Sequence, residues 1–374
     1  MNKYTKREKA LLVLVDGTVF EGLAIGKKGK AFGELCFNTS MTGYQEVYTD
    51  PSYCGQILVA TTSHIGNYGV CDAEVESNHV QIEGLVCNKF TIETYSRPLA
   101  NNSLQNLFVN EGIVGISDID TRSLVRHIRE KGAMNAVISS DEFDIEKLKQ
   151  ELSQVPSMEG LELSSKVSTK EAYYYGDETA NYRVAVIDLG VKKNILRCLA
   201  ERGAYLKVFP MGASANEILS WQPDGIMISN GPGDPATMPE VVETIKQLIN
   251  SSIPVFGICL GHQVIAIANG LTTYKMHNGH RGVNHPVKNL ETGLCEITSQ
   301  NHGFVVGKEE IINNPDIEIT HIHLNDDTVA GIRMKSKKVF SVQYHPESSA
   351  GPNDSRYLFD QFIENIKSSV QVEN

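Results

Sequence analysis

The chain of 374 residues has no apolar run near the roughly 20 residues of a membrane-spanning helix, so none is expected. It lacks any Cys-x-x-Cys pair. Its seven cysteines are scattered and odd in number, which argues against a disulfide framework or a zinc ribbon and for a reduced, cytoplasmic protein. Positive charge is in deficit: 34 Lys and Arg against 45 Asp and Glu give a net charge of −11, the wrong sign for a nucleic-acid surface. A phosphate-binding loop is missing as well. Gly22, Gly26, Gly29 and Gly33 around Lys27-Lys28 fit neither G-x-x-x-x-G-K-[ST] nor G-x-G-x-x-G and read as turns. No cofactor is therefore expected in this chain. Lys3, Lys6, Arg7 and Lys9 precede an apolar run at 11–15 that is too short for a signal peptide, and Asp16-Gly17 turns it into a hairpin.

What is present is ample core: 41% hydrophobic residues, enough for two domains. Strands are expected at 11–15, 18–25, 56–60 and 79–86, and a helix at 120–130, capped by Asp120 or Thr121 with apolar positions at 124, 125 and 128. A second helix at 144–152 stops before Pro156. Residues 153–182 read as an ordered linker whose cluster Tyr173-Tyr174-Tyr175 needs a place to bury. From 183 strand and helix alternate: strands at 184–188, 205–209, 225–229 and 254–258, helices at 191–202 and 239–250. Alternation of that kind builds a parallel sheet covered on both faces. A hairpin at 318–334 turns on Asn325-Asp326-Asp327, and a last helix at 355–367 buries Leu358, Phe359, Phe362, Ile363 and Ile366. The expected fold is α/β: a strand-rich α+β domain at 1–152, the linker, and an open, mostly parallel, flavodoxin-like sheet at 183–374.

Chemistry concentrates at Gly257-Ile258-Cys259-Leu260-Gly261-His262-Gln263. An apolar strand precedes it and a small-residue helix follows, the context of a G-x-C-x-G nucleophile elbow. Side chains two positions either side of the nucleophile would collide with neighbouring elements, and the helix N-terminus favours a thiolate. The base is expected from Val342-Gln343-Tyr344-His345-Pro346-Glu347 at the end of a later strand. His345 can take the thiol proton, and Glu347 can fix its tautomer.

In this order, the elbow, Gln300-Asn301-His302-Gly303-Phe304 and His345-Pro346-Glu347 resemble a class I (triad) glutamine amidotransferase domain; Ser229-Asn230-Gly231-Pro232-Gly233-Asp234-Pro235 matches its glycine-rich loop. Gly33 to Glu46, Thr49 to Tyr53, His64 to Gly69 and Gly115 to Arg122 resemble the small-subunit family of glutamine-hydrolysing carbamoyl-phosphate synthases. The resemblance implies catalysis by Cys259, His345 and Glu347, an oxyanion hole at the Gly231 and Leu260 N–H groups, and glutamine held by Ser52, Gly231, Gly233, Leu260, Gln263, Asn301, Gly303 and Phe304. It also implies a large subunit that carries ATP and Mg and makes carbamoyl phosphate, in arginine or pyrimidine synthesis. An amidotransferase serving another synthase, or a silent regulatory chain, are the alternatives; the N-terminal motifs oppose the first and the intact triad residues the second.

Other histidines suggest a metal. His321 and His323 share a strand, and His277, His280 and His285 share a polar segment, but no carboxylate or thiolate evidently converges on them. Packing is the expected role, and no metal site is expected. His262 and His302 are expected to pack or orient.

Overall fold

The computed structural model describes residues 7–370; Lys3 and Lys6 of the basic N-terminal stretch lie outside the described residues. The chain divides into two units, Met1–Met158 and Glu159–Asn374.

In the first unit the strands are β1 (Lys9–Leu14), β2 (Val19–Gly26), β3 (Lys30–Asn38), β4 (Gln56–Ala60), β5 (His64–Ile65), β6 (Gly84–Val86), β7 (Lys89–Phe90), β8 (Val114–Ser117) and β9 (Met134–Ser139). Seven of them close a barrel in the order β1-β2-β8-β6-β4-β3-β9, while β5 and β7 pair separately. The helices are α1 (Tyr44–Tyr48), α2 (Leu104–Glu111), α3 (Thr121–Lys131) and α4 (Ile145–Leu152). Strand β1 shows why the barrel is stable. Its side chains alternate, so Leu12 and Leu14 enter the barrel core, while Leu11 and Val13 pack on Leu148 and Leu152 of α4. Asp120 and Asp144 cap α3 and α4 by accepting backbone N–H bonds from Ser123 and from Glu146 and Lys147. The strand expected at 79–86 shrinks to three residues, because the Gln81 and Glu83 N–H groups bond to Tyr48 and Gln56 carbonyls before the ladder begins.

The second unit contains α5 (Ser164–Val167), β10 (Tyr173–Tyr175), β11 (Tyr182–Asp188), α6 (Lys193–Ala200), β12 (Ala204–Pro210), α7 (Ala215–Ser220), β13 (Gly225–Ile228), α8 (Pro239–Ile249), β14 (Val255–Ile258) and α9 (Leu260–Ala268). It continues with β15 (Thr273–Asn289), β16 (Cys295–Val306), α10 (Lys308–Ile312), β17 (Ile317–His323), β18 (Val329–Met334), β19 (Val339–Val342) and α11 (Tyr357–Val370). One ten-stranded sheet runs β10-β12-β11-β13-β14-β19-β18-β17-β15-β16. It is parallel from β12 through β19 and antiparallel on either side. Alternation within β11 decides which helices cover which face. Ala185 and Ile187 pack with residues of α7, α8 and α9; Val184 and Val186 pack with those of α6 and α11. Helix α11 buries Leu358, Phe359, Phe362, Ile363 and Ile366, each contributing roughly 1.5–3 kcal/mol relative to exposure.

The linker expected at 153–182 is corrected from residue 159 onward, since that stretch belongs to the second unit. It is tied to the unit's own loops: Gly160 N donates to Asp234 Oδ2 at 2.8 Å, Ser164 Oγ to the Pro232 carbonyl at 3.2 Å, and Thr169 N to Asp188 Oδ2 at 2.8 Å. The tyrosine cluster is edge strand β10. Tyr173 and Tyr174 stay exposed, ordered by pairing with β12 and, for Tyr174, by stacking on Tyr205 at 5.4 Å. Among the described residues no helix is long and apolar enough to cross a membrane.

Candidate active site

Strand β14 ends in the interior of the sheet, and α9 starts one residue later. Cys259 joins them with φ 54° and ψ −104°, a backbone that L residues rarely adopt. The flanking glycines make the turn possible. A Cβ at Gly261 would lie 2.3 Å from the Ile228 carbonyl oxygen, and one at Gly257 would lie 2.5 Å from Ile265 Cδ1. The Cys259 N–H donates to the Val342 carbonyl at 2.9 Å, which ties the elbow to the end of β19.

The segment leaving β19 delivers the base. His345 N donates to the Ser299 carbonyl at 2.9 Å, anchoring the loop on β16. Its ring Nδ1 lies 2.7 Å from Glu347 Oε1, and both side chains are buried. Nε2 is buried on the side of Cys259 and makes no hydrogen bond of normal geometry among the described residues. The thiol instead donates to the Asn301 carbonyl at 3.5 Å. Burial works against a charged imidazole, but Glu347 and then Cys259 outweigh it and hold His345 up at about 10. Glu347 shows the converse. Burial works against its charge, yet Lys192, with Nζ 3.0 Å from Oε1, and then His345 bring it down to about 2.

Lys192 is a residue that sequence reasoning missed. It is buried just before α6, and its ammonium also donates to the Ser348 carbonyl, while Asn194 donates to the Glu347 carbonyl. The available signal was a lysine in the short loop that follows a parallel strand's C-terminal end, where open α/β sheets place ligands. Gln343 was missed as well: its Nε2 lies 3.8 Å from Cys259 Sγ, and its Oε1 accepts from Gln263 at 3.0 Å.

The structure brings most of the expected glutamine residues to this place. Gln263, on the first turn of α9, donates to the Phe304 carbonyl at 2.8 Å, and Asn301 contacts the thiol through its carbonyl. Gly303 lies between them on β16. Gly231 packs against the elbow helix, for a Cβ there would meet Leu189 O at 2.1 Å and Leu260 Cδ2 at 2.8 Å. Gly233 has φ 94° and leaves room for the backbone of Leu161 and Leu163. Leu260 is the first residue of α9. Among the described residues neither the Gly231 nor the Leu260 N–H donates to a backbone carbonyl. Ser52 belongs to the N-terminal unit, buried in the turn Pro51–Tyr53 with its N–H on Asp50 Oδ1 at 2.9 Å.

His262 is pushed down to about 3 by burial and then by His321, and bonds Ser341 Oγ at 2.9 Å. His302 is held well below its ordinary value, chiefly by burial. Both are neutral near pH 7. The expectation that no carboxylate converges on the other histidines is corrected: His280, His285 and His323 meet, with Asp326 against two of them. Antiparallel pairing of β15 with β17, distant in sequence, brings them together.

Residues 185–365 match the family model of class-I glutamine amidotransferases, and residues 12–138 match that of the carbamoyl-phosphate synthase small chain, CPSase domain. The carbamoyl phosphate synthase small chain of a Synechococcus species is 47% identical over 373 residues, covering 96% of this chain and 93% of that one. Its counterpart in Chlorobaculum tepidum is 47% identical over 357 residues, covering 95% and 97%. That of Clostridium acetobutylicum is 45% identical over 355 residues, covering 95% and 99%. With likeness of this degree along nearly its whole length, the chain belongs to the carbamoyl phosphate synthase small chain family, a family of ligase subunits, and carries a class-I glutamine amidotransferase domain.

Proposed function

We propose that this chain hydrolyses glutamine to glutamate and ammonia and passes the ammonia to a large, ATP-dependent chain that makes carbamoyl phosphate from bicarbonate. The observation that carries this reading is the buried series Lys192, Glu347, His345, ending beside an elbow cysteine. His345, raised to about 10, is a base able to take the proton of a thiol. The sulfur of Cys259 attacks the side-chain amide carbon, and the resulting oxyanion accepts hydrogen bonds from the N–H groups of Gly231 and Leu260. The C–N bond then breaks as His345 returns its proton to the nitrogen, and ammonia leaves. Acylation removes the negative sulfur, one of the groups that raised His345, so the imidazole becomes a better acid when a proton must be given up. Water adds to the γ-glutamyl thioester, with His345 as base, and glutamate departs.

Gln263, Asn301, Gly303 and Phe304 bound the glutamine, together with Gly231 and Gly233 of the glycine-rich loop, Leu260, and Ser52 of the N-terminal unit. That unit docks on the large chain, which supplies ATP and Mg; this chain supplies no cofactor and works in the cytoplasm as part of a heterodimer. Ammonia travels through an enclosed passage, which keeps it unprotonated and nucleophilic. Its product serves arginine or pyrimidine synthesis.

Cys259→Ser tests the reading in the assembled enzyme. Glutamine-dependent synthesis should be abolished and ammonia-dependent synthesis kept, because only the first half-reaction uses the thiol. Equal loss of both would make Cys259 a structural residue.

A further inference from the structure

Strand β15 carries His280 and His285, β17 ends at His323, and the turn after it holds Asp326. Residues five apart on a regular strand face opposite sides of the sheet. Here the register of β15 against β16 shifts between Gly282 and His285, and that irregularity brings both histidines to one place. Pairing of Val287 with His323 sets the third beside them. Each histidine offers a ring nitrogen within 4.8 Å of the other two, and His285 Nδ1 lies only 3.0 Å from His323 Nε2. Zinc bound at 2.0–2.1 Å in a tetrahedral site separates its nitrogens by about 3.3–3.4 Å, so one edge is nearly formed.

The carboxylate stands where such sites place one. Asp326 Oδ2 is 2.8 Å from His280 Nε2, and Oδ1 is 3.2 Å from His323 Nδ1. For His280 this fixes the tautomer as a carboxylate–histidine–metal arrangement requires, while His323 Nδ1 also accepts the Asn325 N–H at 3.2 Å. A polar atom is left over: His280 Nδ1 is buried with no partner among the described residues. The rings of His280 and His323 stack at 4.0 Å and 13°, so one of them turns about its Cβ–Cγ bond for both to face a single ion.

We propose that His280, His285 and His323 bind one divalent transition-metal ion, with zinc the ion this nitrogen set suits best and Asp326 the carboxylate that orients His280 from outside the ligand shell. The site lies edge-on to His302, whose ring is 5.0 Å from that of His280. It is separate from the Cys259 chemistry and does not depend on the glutaminase reading.

The untagged full chain, stripped with EDTA and returned to metal-free buffer, should take up one equivalent of zinc by calorimetry and elemental analysis. Cobalt(II) should give the visible absorption of a nitrogen-ligated ion of low coordination number. Losing a partner outside the ligand shell already costs 10–100-fold in affinity, so His323→Asn and His285→Asn should each cost about 100-fold or more. His277→Asn, at an exposed position on the same strand, should change nothing. Two variants with unchanged circular dichroism guard against misfolding. Absence of stoichiometric zinc uptake, or uptake unaltered in both ligand variants, would overturn the proposal; equal loss in His277→Asn would place the ion elsewhere.

Discussion

Replacing Glu347 by glutamine removes the central charge from Lys192–Glu347–His345 while nearly preserving its shape. The carboxylate is the leading group that holds His345 near 10; without it burial drives the imidazole toward or below its ordinary 6.5. The full fall would be worth about 5 kcal/mol. Cys259 supplies part of the elevation and remains, so the loss of base strength is smaller, about 3–4 kcal/mol, or roughly 10²–10³ in rate. The wrong tautomer adds to this, since an amide can present its NH₂ to Nδ1, and an orienting carboxylate replaced in this way typically costs about 10⁴. Glutamine-dependent kcat should therefore fall by about 10²–10⁴, less than in Cys259→Ser. Lys192 would also be left as an uncompensated buried charge, at about 3–5 kcal/mol of stability. The assay is carbamoyl phosphate formation by the assembled enzyme with glutamine or ammonia as nitrogen source, beside a urea unfolding curve. Glutamine-dependent kcat within tenfold of wild type, in a protein that unfolds at lower urea, would refute the reasoning: the charge would then matter for folding and not for the imidazole.

Stability should also depend on pH in a defined way. Glu347 falls from an ordinary 4.5 to about 2 on folding, so its contribution is complete above pH 4.5 and is lost as pH drops toward 2. His345 rises from 6.5 to about 10, so its share is complete below pH 6.5 and lost as pH climbs through 10. Urea midpoints should thus be highest between about pH 4.5 and 6.5, and a Glu347→Gln protein should show a flatter profile; identical profiles would contradict it. Gly261→Ala should lower both stability, by about 1–3 kcal/mol, and glutaminase rate, because its Cβ would meet the Ile228 carbonyl at 2.3 Å, whereas Gly212→Ala, with open space around it, should be tolerated. A fragment of residues 159–374 should fold alone. One of 183–374 should unfold at lower urea, lacking edge strand β10 and the bonds from Gly160 and Ser164 to the glycine loop; equal midpoints would return 159–182 to the role of a linker.

The elements readable from the chain are those whose cause is local. The elbow could be read because a nucleophile, its two glycines and its strand and helix are contiguous, although the collision that demands Gly261 comes from Ile228 on the neighbouring strand β13. Helices α3, α4 and α11 could be read because cap and apolar stripe lie within a single segment. His345 and Glu347 are two residues apart, so their pairing needed only a turn. Barrel strands β3, β8 and β9 went unread: glycine and two-sided burial blur the period of two on which a strand reading rests. The stretch 159–182 looked like a linker because its order comes from backbone bonds to loops far along the chain, which leave no apolar pattern.

The sequence by itself determined which side chains could do chemistry and the helices and strands that present them, since propensity, capping and periodicity act over a few residues. Only the tertiary structure decided which distant groups share a dielectric. It set Lys192 against Glu347, Gln343 beside Cys259, and three histidines from two strands around Asp326. Sheet order, register and a bulge govern those meetings, and a one-residue slip in any of them turns the side chains to the opposite face.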